Sequence, residues 1–167
     1  MEKKNNSQAP WWKGEHGEWY VVAQMILLAI VFFGPRNIPA WPNWTAPFTW
    51  LGSIAGGILV PMGFLLLAAA IIRLGPNLTA VPYPKDEGTL EETGPYRLVR
   101  HPIYCGFILI TLGWAFMIHG WLTLGYAIII LVFFDLKSRR EEEWLKAKFP
   151  GYAGYQKRVR KLIPFVY

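Results

Sequence analysis

The sequence predicts an all-α integral membrane protein with about four transmembrane helices. The last two form a helical hairpin, and a cytoplasmic C-terminal helix follows. Three observations carry this. The 167-residue chain is 53% hydrophobic and only 17% charged, against about 25% charged in a soluble domain. Its apolar residues gather in four runs, 19–33, 48–74, 103–118 and 121–134. Its basic residues sort to one side: with both termini and the 75–101 loop in the cytoplasm, Arg36 is the one Lys or Arg left outside.

Each element has its own signal. The first run follows a polar N-terminus with Lys3, Lys4 and the Trp11-Trp12 pair, which is not the pattern of a cleavable signal. The loop 34–47 holds Pro35, Pro39, Pro42 and Pro47 with Trp41 and Trp44, the composition of a stiff segment lying along a membrane interface. The run 48–74 comfortably exceeds the about 20 apolar residues a spanning helix needs. It carries Gly52, Gly56, Gly57 and Gly63, a spacing of small residues that lets helices approach closely. Pro61 within it predicts a kink. The last two runs are shorter and need flanking residues to span. His119-Gly120 reads as the tight outer turn between them. From Trp121 to Phe149 no Pro occurs, and none of the residues after the apolar run is Gly, so one helix is expected to leave the membrane. At about 1.5 Å per residue it would be about 43 Å long, more than the hydrocarbon core.

The net charge of +6 is compatible with nucleic acid, but most of the basic residues lie beside the last apolar run. A cytoplasmic membrane face explains them better, and no nucleic-acid partner is expected. The lone Cys105 excludes an intramolecular disulfide and an all-cysteine metal site. Cys105 and His101 share a helical spacing, but two ligands fall short of a zinc site, so no metal is expected.

Two polar blocks remain. The first, TGPYRLVRHPIYCG at 93–106, places Tyr96, Arg97, Arg100, His101 and Tyr104 at the start of an apolar run. Pro102 suits the first position of a helix, where a missing N–H costs nothing. His101 then sits at the N-cap, beside free N–H groups and a positive dipole end. The second, DLKSRREEE at 135–143, lies past the next run. A hairpin would bring the blocks together on one side of the bilayer. Each block has a plainer explanation. Basic residues at a membrane edge bind lipid headgroups, and Tyr96 and Tyr104 suit an aromatic belt. Lys137 with Glu141, and Asp135 with Arg139, have the spacing of ordinary helix-surface pairs. The acidic cluster Glu141–Glu142–Glu143, however, does not favour an anionic membrane, whereas a cationic small ligand would account for it.

The two blocks together, with EEEWLKAKFPGYAGYQKRVRKLIP continuing the second, resemble the integral-membrane methyltransferases that include isoprenylcysteine carboxyl methyltransferases and phospholipid methyltransferases, and most of all their small prokaryotic-type members. The resemblance covers residues 75–164. It implies S-adenosyl-L-methionine as cofactor, bound without a dinucleotide fold, in agreement with the absence of a G-x-G-x-x-G motif. Carried over by motif, it implies Arg100, His101 and Glu142 as catalytic. Leu90, Gly94, Tyr96, His101, Pro102, Ile103, Tyr104, Glu141 and Glu142 would bind the cofactor. Lys137 and Arg139 would lie on the substrate side, although relatives of the eukaryotic type carry arginine where this chain has Lys137.

The resemblance further implies residues 75–167 as the catalytic, cofactor-binding region, with residues 1–74 supporting it. It implies an active site on the cytoplasmic side, within the inner or cell membrane if the source is prokaryotic. Expected partners are membrane lipids and a lipophilic small-molecule or prenylated acceptor, with a homodimer as a further expectation. A carboxylate acceptor suits the residues, because it is already ionised at neutral pH and needs no general base. Two rivals stay open. One is an NAD(P)H-dependent membrane reductase of the steroid-reductase kind, which resembles this family around R-H-P-x-Y but tends to have asparagine and glutamate where this chain has Ile103 and Phe107. The other is a non-catalytic lipid-binding membrane protein.

Overall fold

The computed structural model describes residues 11–164 and 166–167. Lys3, Lys4 and the location of the N-terminus lie outside the described residues. Among the described residues five α-helices follow one another: α1 Glu18–Phe33, α2 Phe48–Leu74, α3 Pro102–Met117, α4 Trp121–Lys148 and α5 Tyr152–Arg158. Short 3-10 turns occupy Trp11–Lys13, Gly75–Asn77 and Gly94–Arg97. Among the described residues there is no strand, only a single parallel bridge between Val99 and Arg160.

The helix ends follow the local chemistry. α1 is preceded by Gly17 at φ 84°, a left-handed conformation that glycine adopts without strain. It ends at Gly34, whose N–H reaches the Ile30 carbonyl at 2.9 Å before Pro35 stops the helix. α2 runs unbroken across Pro61 and stops at Gly75, again with positive φ, followed by Pro76. α3 begins at Pro102 with His101 as its N-cap, and the turn after it passes through His119 at φ 52°. The His119 ring reaches the Thr49 carbonyl at 2.5 Å and the Ser53 hydroxyl at 3.2 Å, tying that turn to the start of α2.

α2 and α3 meet through glycine. A Cβ added at Gly56 would stand 2.5 Å from the Gly113 carbonyl oxygen, and one at Gly63 would stand 2.8 Å from that of Gly106. Side chains on either helix would force them apart. A Cβ added at Gly57 would meet no other described part of the protein within 4 Å, so Gly57 takes no part in this packing, in contrast to the expectation from its neighbours. On the other side of α3, Val31 of α1 and Ile130 and Phe134 of α4 form a buried cluster backed by Tyr104, Phe107 and Trp114.

The outer faces are apolar. Leu65 and Ile72 of α2 are 72% and 79% exposed, and Ile26 of α1 and Ile128 of α4 are also exposed. Isolated exposed apolar residues are ordinary in soluble proteins, but whole helix faces of them are not. α2 together with its following turn, and α4, are long and apolar enough to cross a membrane; α1 and α3, at 16 residues each, are shorter.

Candidate functional site

The two polar blocks of the sequence do meet, at one end of the bundle. Residues 77–91 form a loop beside the end of α2, the start of α3 and the C-terminal half of α4. A knot of local bonds shapes it. Asn77 clasps Thr89 through two hydrogen bonds of 3.0 and 3.2 Å, and Lys85 Nζ donates to the Pro76 carbonyl at 2.8 Å. Glu91 accepts from the Thr93 hydroxyl and from its N–H at 2.9 Å, and Arg73 Nε lies 3.3 Å away. Hydrogen bonds from the Thr93 hydroxyl, with help from its N–H and from Arg73, hold the Glu91 carboxyl below the usual range.

Behind this loop lies a cavity of about 270 Å³. The loop, the start of α3, the C-terminal half of α4 and the two tyrosines of α5 wall it. Leu67 and Ile71 of α2 and Phe107 of α3 supply an apolar side, and Gln24 reaches it from α1.

The start of α3 is fixed from below. Arg100 N–H donates to the Arg160 carbonyl at 2.8 Å and His101 N–H to that of Lys161 at 3.2 Å. Arg100 Nε donates to Glu142 Oε1 at 2.7 Å, and its guanidinium also bonds the Val159 carbonyl. His101 Nε2 lies 3.2 Å from the same Oε1. An ionised carboxylate only accepts, so this ring nitrogen carries the hydrogen. Gln156 donates to Glu142 Oε2 at 2.7 Å. Both oxygens of Glu142 are thus engaged by protein groups, and the residue is buried.

Glu141 differs. It lines the cavity, its Oε2 accepts the Tyr104 hydroxyl at 2.5 Å, and His101 Nδ1 stands 3.7 Å from that oxygen. The Tyr104 ring stacks parallel on His101 at 5.3 Å and on Phe134 at 4.8 Å. This ladder keeps the carboxylate and imidazole on one side of the opening.

Lys137 is the buried cation of the site, 3% exposed. Its Nζ donates to Gln24 Oε1 at 2.7 Å and rests 4.9 Å from the centre of the Tyr104 ring. An ammonium has three donors, so two remain for a ligand or for weaker contacts.

Of the residues singled out by sequence, Leu90, Tyr96, Arg100, His101, Pro102 and Ile103 line the cavity, as do Tyr104, Lys137 and Glu141. Gly94 does not. It turns the chain at φ 57° so that Tyr96, two residues on, is buried facing the cavity. Glu142 lies behind the wall. Arg139 is not brought to the site: its side chain is 62% exposed and pairs with Asp135 at 2.7 Å, on a face of α4 shared with Tyr167. The reason is rotational, since residues two apart on a helix point about 200° apart.

Sequence reasoning missed Gln24, Tyr152, Tyr155 and Gln156. Gln24 is a single amide inside an apolar run, itself a signal that a polar partner waits across the bundle. Tyr152 and Tyr155, three apart on α5, bury one face of that helix, and the Tyr155 hydroxyl donates to the Tyr96 carbonyl at 2.6 Å. Burial raises the pKa of Tyr96, Tyr152 and Tyr155 alike, so all three remain neutral phenols. Among the described residues no group of three or more His, Cys, Asp or Glu could hold a metal ion.

A glycine-packed helical bundle with apolar outer faces and an ionisable cleft at one end defines a protein of the membrane-embedded class. Comparison with known proteins makes this specific. Residues 51–151 match the family model for phospholipid methyltransferase. The chain belongs to that family.

Protein-S-isoprenylcysteine O-methyltransferase A of Arabidopsis thaliana is 32% identical over 122 residues, covering 70% of this chain and 61% of that protein. The Homo sapiens protein-S-isoprenylcysteine O-methyltransferase is 33% identical over 130 residues, 75% of this chain and 45% of that one. This chain therefore spans only about half to three-fifths of the length of these relatives. The solved structure of a eukaryotic intramembrane Ras methyltransferase, an isoprenylcysteine carboxyl methyltransferase, superposes with a TM-score of 0.64 at 23% identity over 95% of this chain and 54% of that one. At that identity the likeness shows a shared fold.

Proposed function

We propose that this chain is a membrane-embedded methyltransferase that uses S-adenosyl-L-methionine and transfers the methyl group to the carboxylate of a lipophilic acceptor of the isoprenylcysteine type. One observation carries the reading: Glu141 presents a carboxylate at the cavity beside Tyr104, while its neighbour Glu142 is fully used in holding Arg100 and His101.

The residues fit the cofactor. Its α-ammonium suits Glu141 through a charge-assisted hydrogen bond. Its carboxylate suits the free N–H groups at the start of α3, oriented by His101. Its adenine suits the apolar wall at Leu90, Leu145 and Phe149. When bound, the cofactor supplies a methyl group on a cationic sulfur.

The protein's part is placement. Arg100, His101 and Glu142 fix the helix start on which the site is built. Lys137, steadied by Gln24, holds the acceptor carboxylate near the Tyr104 ring. The stacked rings of Tyr104, Phe134 and Phe107 keep water from that side. Methyl transfer needs acceptor, methyl and sulfur in line, and alignment of this kind lowers the barrier without acid–base help. A carboxylate with a reference pKa of about 3.5 arrives ionised, so no residue has to remove a proton.

In this reading α1 to α4 all span the bilayer, with α1 and α3 completed by flanking residues. The cavity and the C-terminal segment face the cytoplasm, where the basic residues collect. Residues 75–167 carry the cofactor region and residues 1–74 support it. The acceptor chain lies against Leu67, Ile71 and Phe107.

Isothermal titration of the detergent-purified chain tests the cofactor. Saturable binding of S-adenosylhomocysteine and none of NADPH is expected. The opposite pattern would assign the site to a reductase, and silence with both would leave a lipid-binding protein.

A further inference from the structure

Tyr152 carries a buried phenol that no group among the described residues bonds. The residue is 1% exposed and is one of those that line the cavity, and its hydroxyl has no hydrogen-bond partner among the described residues. The other buried polar atoms left without a partner among the described residues, on Trp44, Trp114 and Thr123, belong to residues away from the cavity. A buried hydroxyl without a partner is costly, and folded proteins keep few of them. The contrast with Tyr155, three residues on, is direct. Both are buried phenols on one face of α5, yet only the Tyr155 hydroxyl is spent on the fold, through the Tyr96 carbonyl.

The surroundings say which part of a ligand this hydroxyl meets. The charged groups that act on it are Glu142, Arg100 and Glu141. Glu142 and Arg100 satisfy each other at 2.7 Å, and of these three groups Glu141 is the carboxylate that lines the cavity. A zwitterionic group is drawn to such a place, whereas a purine is better served by the apolar wall. As a neutral phenol, Tyr152 can donate to a carboxylate or accept from an ammonium.

We propose that the Tyr152 hydroxyl is a binding group for the amino-acid end of the cofactor, acting with Glu141. The proposal rests on the methyltransferase reading above.

The test is titration of the full chain and its Tyr152→Phe variant with two ligands. S-adenosylhomocysteine has the amino-acid end; 5′-methylthioadenosine lacks it. The variant is expected to bind S-adenosylhomocysteine about tenfold more weakly, the scale of one lost hydrogen bond to a charged group. Its affinity for methylthioadenosine is expected to stay the same, and its ligand-free melting temperature to equal or exceed that of the unaltered chain. Unchanged affinity for S-adenosylhomocysteine overturns the proposal. So does an equal loss for both ligands, which would place the hydroxyl at the nucleoside. A variant that melts lower with its affinity intact, or does not fold, would show that the hydroxyl serves the fold, and overturns it too. If the unaltered chain binds no S-adenosylhomocysteine, the methyltransferase reading itself fails, a result separate from all of these.

Discussion

Arg100 Nε and Glu142 Oε1 lie 2.7 Å apart, with their side chains 10% and 9% exposed, and so join the start of α3 to the end of α4. Forty-two residues separate the two in sequence. Breaking a buried pair by removing one partner leaves a stranded charge and costs about 3–5 kcal/mol, whereas replacing both with apolar groups is far milder. Glu142→Ala should therefore lower the melting temperature sharply, and Arg100→Met with Glu142→Leu should recover much of it. Thermal unfolding in detergent checks this. A double variant less stable than Glu142→Ala would show that the pair does more than neutralise itself.

Adjacent glutamates are expected to separate by role. Glu141→Gln keeps the shape of the site and removes the charge, so it should weaken S-adenosylhomocysteine by about tenfold to a hundredfold with little loss of stability. Glu142→Gln should show the reverse balance, with stability falling first. Paired titration and melting measurements on the two variants distinguish them, and equal behaviour would contradict the assignment.

The glycine contact between α2 and α3 predicts a position-specific effect. Gly63→Val drives a side chain into the Gly106 backbone and should cost about 1–3 kcal/mol as an overpacked interface. Gly57→Val, six residues earlier in the same helix, meets nothing and should be close to neutral. Melting temperatures of the two in one detergent decide the point.

The loop beside the cavity should soften in acid. The Glu91 carboxyl titrates below its ordinary value of 4.5 in the folded protein. Its contribution to stability is therefore fully present above that value and is lost as pH falls through the lower folded value. Glu91→Gln should melt below the unaltered chain at neutral pH, and the gap should close as pH drops below 4.5. A gap that persists at low pH would mean the carboxylate charge is not what the loop uses.

Much of this architecture was legible in sequence because its punctuation is strong. Pro47 before Phe48 and Gly75-Pro76 after Leu74 bound α2, and His101-Pro102 opens α3. The meeting of the two polar blocks followed from a short hairpin. What the sequence left open was rotation. Glu141 and Glu142 are neighbours about 100° apart on α4, and which one faces the cavity depends on how Phe134 and Ser138 bury against the bundle. Arg139 was misdirected for the same reason, although its pairing with Asp135 was correctly anticipated from their spacing. Gln24 was out of reach because its partner, Lys137, lies more than a hundred residues away.

The central claim is methyl transfer to a carboxylate, and the product's chemistry reads it most directly. The chain in lipid vesicles is given S-adenosyl-L-methionine labelled in its methyl group, with N-acetyl-S-farnesylcysteine as acceptor. The product is then treated with base. The account predicts label in the lipid fraction that base releases as volatile methanol, as a methyl ester must, and a marked loss of that signal in Lys137→Met. Label that resists base, or no transfer to this acceptor or to a membrane lipid extract, would contradict it.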